Sequence, residues 1–157
     1  MRRTLTSALI LCSAGAQAAV GDKLYFGSRA GMEVTIVAME GIDTEAAVIR
    51  TEFTPEDAKR FCIEYVGSVT PECIAEQLEL KLNDRVTANC TTGEFVTFFG
   101  DHYRFEGKNA DTSSSLFADY IIRDLTTNEI ADGSMASGYP VNIEIFTALC
   151  PGAVRGA

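Results

Sequence analysis

The chain has 157 residues, 46% of them hydrophobic, with 13 basic against 22 acidic residues and a formal net charge of −9. That acidity argues against a nucleic-acid or anionic-lipid partner, because both need a positive footprint, and it leaves a basic protein partner open. The composition is otherwise that of an ordinary globular domain, with no tryptophan and one histidine.

At the N-terminus, Arg2 and Arg3 precede a short apolar run from Leu5 to Cys12, and Ala16-Gln17-Ala18 places small residues where a signal peptidase reads. The pattern predicts a cleaved secretory signal peptide over residues 1–18 and a single domain over residues 19–157, in the periplasm or outside the cell. The apolar run is about half the ~20 residues that span a bilayer, so no membrane span is expected. Leu11 before Cys12 is too large for a lipoprotein site. Without residues 1–18 the basic count falls from 13 to 11 against 22 acids, a net charge of about −11. The cysteines fall from 5 to 4. A domain of that length buries roughly two-thirds of its surface.

Gly31 to Ala38 alternates, with Met32, Val34, Ile36 and Ala38 on one face, and Ala46 to Phe53 reads as a second strand. Turn residues at Glu40 to Thr44 join them into a hairpin. Thr54-Pro55-Glu56-Asp57 then starts a helix: a hydroxyl cap, a proline whose missing N–H costs nothing in the first turn, and acids near the positive helix end. Ala58, Phe61, Cys62 and Tyr65 follow at helical spacing, and Gly67 ends the run. Thr70-Pro71-Glu72 repeats the device, with Cys73, Ile74, Gln77 and Leu78 continuing a second helix. From Arg85 the period changes to two. RVTANC, EFVTFF, HYRFEG and ADYIIRD read as strands, separated at Thr92-Gly93, at Gly100-Asp101 and by a polar loop from Gly107 to Ser115. The last segment, Tyr139 to Cys150, fits a strand or a short helix. The expected fold class is α+β, an antiparallel meander with a helical hairpin packed on one face.

Cys62, Cys73, Cys90 and Cys150 are the cysteines of the predicted domain. An oxidising compartment favours pairing. Zinc frameworks use close pairs such as C-x2-C or added histidines, and redox motifs use C-x-x-C; neither pattern occurs, so no metal and no cofactor are expected. Of the three possible pairings, Cys62–Cys73 with Cys90–Cys150 is favoured, because the first bridge would pin the two helices across their turn. On the chain-entropy account the short loop contributes about 3 kcal/mol and the long one about 4.

Little in the sequence points to catalysis. His102 would have to serve as the base of a Cys-His or Ser-His pair, but the cysteines are expected to be oxidised and no G-x-S-x-G elbow presents a serine. Carboxylate pairs such as Glu56-Asp57 and Glu72 with Glu76 read as helix-start acids and solvated faces. Asp111 to Ser115 lacks the glycines and lysine of a phosphate loop, and Asp132-Gly133-Ser134 lacks alternating calcium ligands. The aromatic stretch EFVTFFGDHYRF is more suggestive. Phe95, Phe99, Tyr103 and Phe105 are expected on one face, Val96 and Phe98 on the other, and Phe98, His102, Tyr103 and Arg104 are candidates for a recognition surface, being residue types that anchor interfaces.

The expected function is therefore binding rather than catalysis: a small exported envelope protein that contacts another protein, in the manner of an inhibitor or immunity module against a basic cell-wall enzyme. A cell-wall hydrolase using His102 and carboxylates is one alternative, and a structural envelope-integrity factor without a discrete ligand is another.

Overall fold

The computed structural model describes residues 17–110 and 118–157. Most of the predicted signal peptide and the Asp111–Ser115 part of the polar loop lie outside these residues. No described helix is long and apolar enough to cross a membrane.

Seven strands form one antiparallel sheet in which each pairs with its sequence neighbours: β1 Lys23–Tyr25, β2 Glu33–Glu40, β3 Ala47–Glu52, β4 Arg85–Asn89, β5 Glu94–Val96, β6 His102–Lys108 and β7 Tyr120–Asp124. The helices are α1 Pro55–Phe61, which continues into a π-helical turn at Cys62–Val66, then α2 Pro71–Leu78, α3 Tyr139–Leu149 and α4 Pro151–Arg155. The protein is thus α+β, with two disulfides, Cys62–Cys73 and Cys90–Cys150.

Side chains alternate across each strand, and the face carrying Leu24, Val34, Ile36, Ile49, Val86, Phe95 and Ile122 forms the core. A β-bulge between Ile36 and Ala38 advances the alternation by one, so Met39, rather than Ala38, packs against this core. Helix α3 covers the face. Its buried residues Val141, Asn142, Ile145, Phe146 and Leu149 recur every three to four positions, and Phe146 stacks on Phe105 at 4.5 Å and tilts against Phe95 at 5.3 Å. Residues 139–149 are therefore helix, and Pro140 fits because it occupies the first turn, where no N–H is required.

The other face carries the helical hairpin. Thr54 caps α1 in a reciprocal capping box with Asp57, and Thr70 caps α2 through the Cys73 N–H at 3.1 Å. Ala58, Phe61 and Cys62 are buried yet lie outside the main core cluster. The chain ahead of β2 approaches α1 so closely that a Cβ at Gly31, where φ is +76°, would sit 2.7 Å from the Phe61 Cα. Only glycine fits both the backbone conformation and the gap.

Candidate functional site

The four residues expected to form a recognition surface do not share one. Alternation along β6 sends His102 and Arg104 to the face away from α3 and Tyr103 towards the core, where it stacks on Phe95 at 5.6 Å. Burial raises the Tyr103 phenol above its ordinary range, against the opposing effect of a hydrogen bond from Asn142. Phe98 is corrected outright: it is 1% exposed and belongs to the core, whereas Phe99 is 54% exposed. The reason is local. The strand ends at Val96, and a turn closed by the Thr97 N–H on the Asp101 carbonyl and the Gly100 N–H on the Thr97 carbonyl swings Phe98 inward. Arg104 is already engaged by Glu94 at 2.5 Å.

His102 lines an open groove of about 460 Å³ together with Glu45 and Glu94. Among the described residues no hydrogen bond joins its imidazole to a hydroxyl or a carboxylate. Glu94 points its charge at Arg104 instead. A nucleophile held by a base that is itself oriented by a third group, which acyl-transfer chemistry requires, is not assembled there.

The most concentrated exposed apolar surface is on the hairpin. Of the ten large hydrophobic side chains exposed among the described residues, six fall between positions 63 and 80: Ile63, Tyr65, Val66, Val69, Leu78 and Leu80. Helix α2 has no buried residue. Its Pro71, Ile74, Ala75 and Leu78, spaced as one helical stripe, line an apolar groove with Val69 and Thr70. Glu72, Glu76 and Glu79 form the adjacent stripe, all exposed and none in an ion pair among the described residues. The apolar groove therefore runs beside an uncompensated line of negative charge.

What holds this surface in place is largely polar. Asp57, 1% exposed, takes an ion pair from Lys23 and hydrogen bonds from Thr35 and Thr54. Burial pushes its carboxyl up, but the bonds from Lys23, Thr54 and Thr35 outweigh burial and hold it below the usual carboxylate range. Glu33, 5% exposed, accepts from Arg60 at 3.3 Å, and the Tyr25 phenol, raised chiefly by its hydrogen bond to Glu33, closes the other side. At the far end, Tyr65 stacks on Phe61 at 5.2 Å and Arg29 lies 4.8 Å over the Tyr65 ring. Cys62–Cys73, with Cα atoms 6.2 Å apart, ties α2 to α1.

The sequence pattern shows α2 as a helix but not its exposure: Ile74 and Leu78 at i and i+4 read equally as core. The usable signal is an eight-residue helix whose apolar stripe lies beside an acidic one and which is tethered by its own cysteine. No protein-family model, curated protein or solved structure matches the chain.

Proposed function

We propose that this protein is a small exported binding module of the cell envelope and that the stapled hairpin is the surface with which it holds a basic protein partner. The observation that carries the reading is α2 itself, a helix with no buried residue that is nonetheless capped by Thr70 and cross-linked to α1, which buried carboxylates in turn hold on the sheet. Holding a helix out in this way serves presentation better than it serves the core. Export is supported by the leader-like residues 1–18 and by two disulfides, which persist in oxidising compartments. The partner that fits has an apolar ridge for the groove and cationic side chains for Glu72, Glu76 and Glu79. A basic cell-wall hydrolase, such as a lysozyme or an amidase, belongs to that class, and occluding its cleft would make the module an inhibitor.

The test is titration calorimetry of the oxidised protein against a lysozyme and against the amidases of the host envelope. Binding that weakens with salt, and that falls about thirtyfold or more in Ile74→Asp or Leu78→Asp, is the expected result. Binding that is indifferent to those substitutions would overturn the assignment of the surface. Absence of binding to any basic envelope protein would overturn the function.

The groove shared by His102, Glu45 and Glu94 supports a second reading, a hydrolase acting on cell-wall material. Release of soluble fragments from peptidoglycan that disappears in His102→Ala would favour it. Unchanged release in that variant would remove it.

A further inference from the structure

Another groove lies apart from the hairpin, and its interpretation does not depend on the proposed function. Residues of β1, α3 and α4 line it, around a volume of about 700 Å³, within the range of clefts that take small ligands. Its surface is mainly apolar, from Leu24, Ile143, Ala148, Pro151 and Val154, with the carboxylate of Glu144 among them.

The β1 side of this groove is a sheet edge with unused main-chain groups. The Ile36 N–H bonds to the Asp22 carbonyl and the Phe26 N–H to the Met32 carbonyl. In the register that pairs Lys23 with Thr35 and Tyr25 with Glu33, the main-chain groups of Asp22, Leu24 and Phe26 therefore face β2, and those of Lys23 and Tyr25 face away from it. No strand among the described residues pairs with β1 on that outer side. Glu144 Oε1 accepts from the Tyr25 N–H at 3.4 Å, whereas the Lys23 N–H and carbonyl have no partner among the described residues. The Lys23 ammonium is held by Asp57 on the opposite face of the sheet, so what Lys23 offers the groove is its backbone.

The second observation is charge. Glu144 is half-buried and forms no ion pair among the described residues. Burial raises its carboxyl, the Tyr25 N–H only partly opposes this, and the charge of Glu33 adds to the rise. Lys23 is engaged elsewhere, and Arg155 is exposed at the end of α4. A partly buried carboxylate without a counter-ion favours a ligand that brings a cation. Because Glu144 closes the edge at Tyr25, a strand added beside Lys23 must end there, and the chain end that a carboxylate accepts is the amino one. A chain starting at Glu144 and running towards Asp22 is antiparallel to β1, like every other pair of neighbours in the sheet. Alternation then turns its residue opposite Leu24 towards Ile143, Ala148 and Val154.

We propose that this groove binds the free amino terminus of a short extended peptide as a further strand, with its ammonium at Glu144, an apolar first residue in the groove and a second residue that exchanges main-chain hydrogen bonds with Lys23. The probes are leucyl-alanyl-leucine, its N-acetylated form and a form N-methylated at the alanine. Amide resonances of the oxidised full-length protein are followed by NMR during titration with each. The free peptide is expected to shift Lys23, Leu24 and Glu144 saturably. The acetylated form, which lacks the charge, is expected to bind about tenfold more weakly, and the methylated form, which cannot donate to the Lys23 carbonyl, about fivefold more weakly. Glu144→Gln is expected to bring the free peptide to the acetylated affinity and to leave the acetylated peptide unchanged. Equal binding of the free and acetylated peptides would overturn the amino-terminal assignment, and equal binding of the methylated one would overturn the added strand. Shifts of the same resonances on dilution of the protein alone would show the edge of a second copy as the occupant and overturn the peptide. No saturable shift with any probe would overturn the site.

Discussion

The two faces of the sheet are held by opposite kinds of chemistry. On one, α3 buries a continuous apolar stripe against strands from across the sheet, and Cys150 at its end is joined to Cys90 just after β4. On the other, a hairpin with few buried apolar side chains is fixed by Asp57, Glu33 and a disulfide. The Cys90–Cys150 bridge joins elements that would stay together without it, because Phe146, Leu149 and Cys150 are already buried. The Cys62–Cys73 bridge joins a helix that has little else to keep it. The same bond therefore raises the stability of the whole domain in one place and maintains the shape of a surface in the other.

If the core face dominates stability, its substitutions cost the most. Phe146→Ala removes a ring packed between Phe95 and Phe105 and is expected to cost about 4 kcal/mol in urea denaturation, spread over the whole cooperative transition. Replacing Cys90 and Cys150 together by alanine is expected to cost up to about 4 kcal/mol, again as one shifted transition.

The hairpin variants sharpen the contrast because their effect is local. Replacing Cys62 and Cys73 by alanine is expected to cost at most about 3 kcal/mol. Its signature is loss of amide-exchange protection over residues 71–78, while α3 stays protected. An isolated helix of eight residues is well short of the roughly 12–15 at which helices become marginal in water. Loss of protection in α3 as well would show that the two faces are one cooperative unit.

Asp57→Asn is expected to cost about 2–3 kcal/mol, since it weakens charge-assisted bonds to Lys23, Thr35 and Thr54. Its pH dependence follows from the lowered carboxyl. The stabilisation is fully present above the unfolded value of about 3.9 and is lost as pH falls through the folded value. The asparagine variant should lack that acid-side loss. Glu144 has the opposite sign. Burial raises its carboxyl despite the Tyr25 N–H that it accepts, so its contribution is present at low pH and lost as pH rises through the folded value. Glu144→Gln should therefore stabilise at neutral pH more than in acid. The smallest change in stability belongs to Ile74→Asp, within about 0.5 kcal/mol by thermal unfolding, even though it is expected to weaken partner binding about thirtyfold or more.

The parts of the fold that were legible in the sequence were those set by local chemistry. Both helix starts were fixed by a threonine, a proline and nearby acids, and the meander by turn residues between alternating runs. The parts that were not legible depended on contacts distant in the chain. Phe98 and Phe99 exchanged places because a turn interrupted the alternation after Val96, and no residue there forbids a longer strand. Residues 139–150 carry apolar spacing that suits both periods, and only the open face of the sheet decides for helix. The three-residue β1 is too short to show a period. Asp57 looked like an ordinary helix-start acid, because nothing in its own neighbourhood shows that Lys23 and Thr35 enclose it.

The order of the strands has a consequence for how the cysteines find one another. Since every strand pairs only with its sequence neighbours, strand pairing can accrue from the N-terminus as the chain emerges, although the apolar face stays uncovered until α3 follows. Cys62 and Cys73 are 11 residues apart and can be oxidised while Cys90 is still to come. Cys90 must then wait 60 residues for Cys150, with the earlier pair already closed. For the four cysteines Cys62, Cys73, Cys90 and Cys150, this order along a meander favours the native pairs over crossed ones.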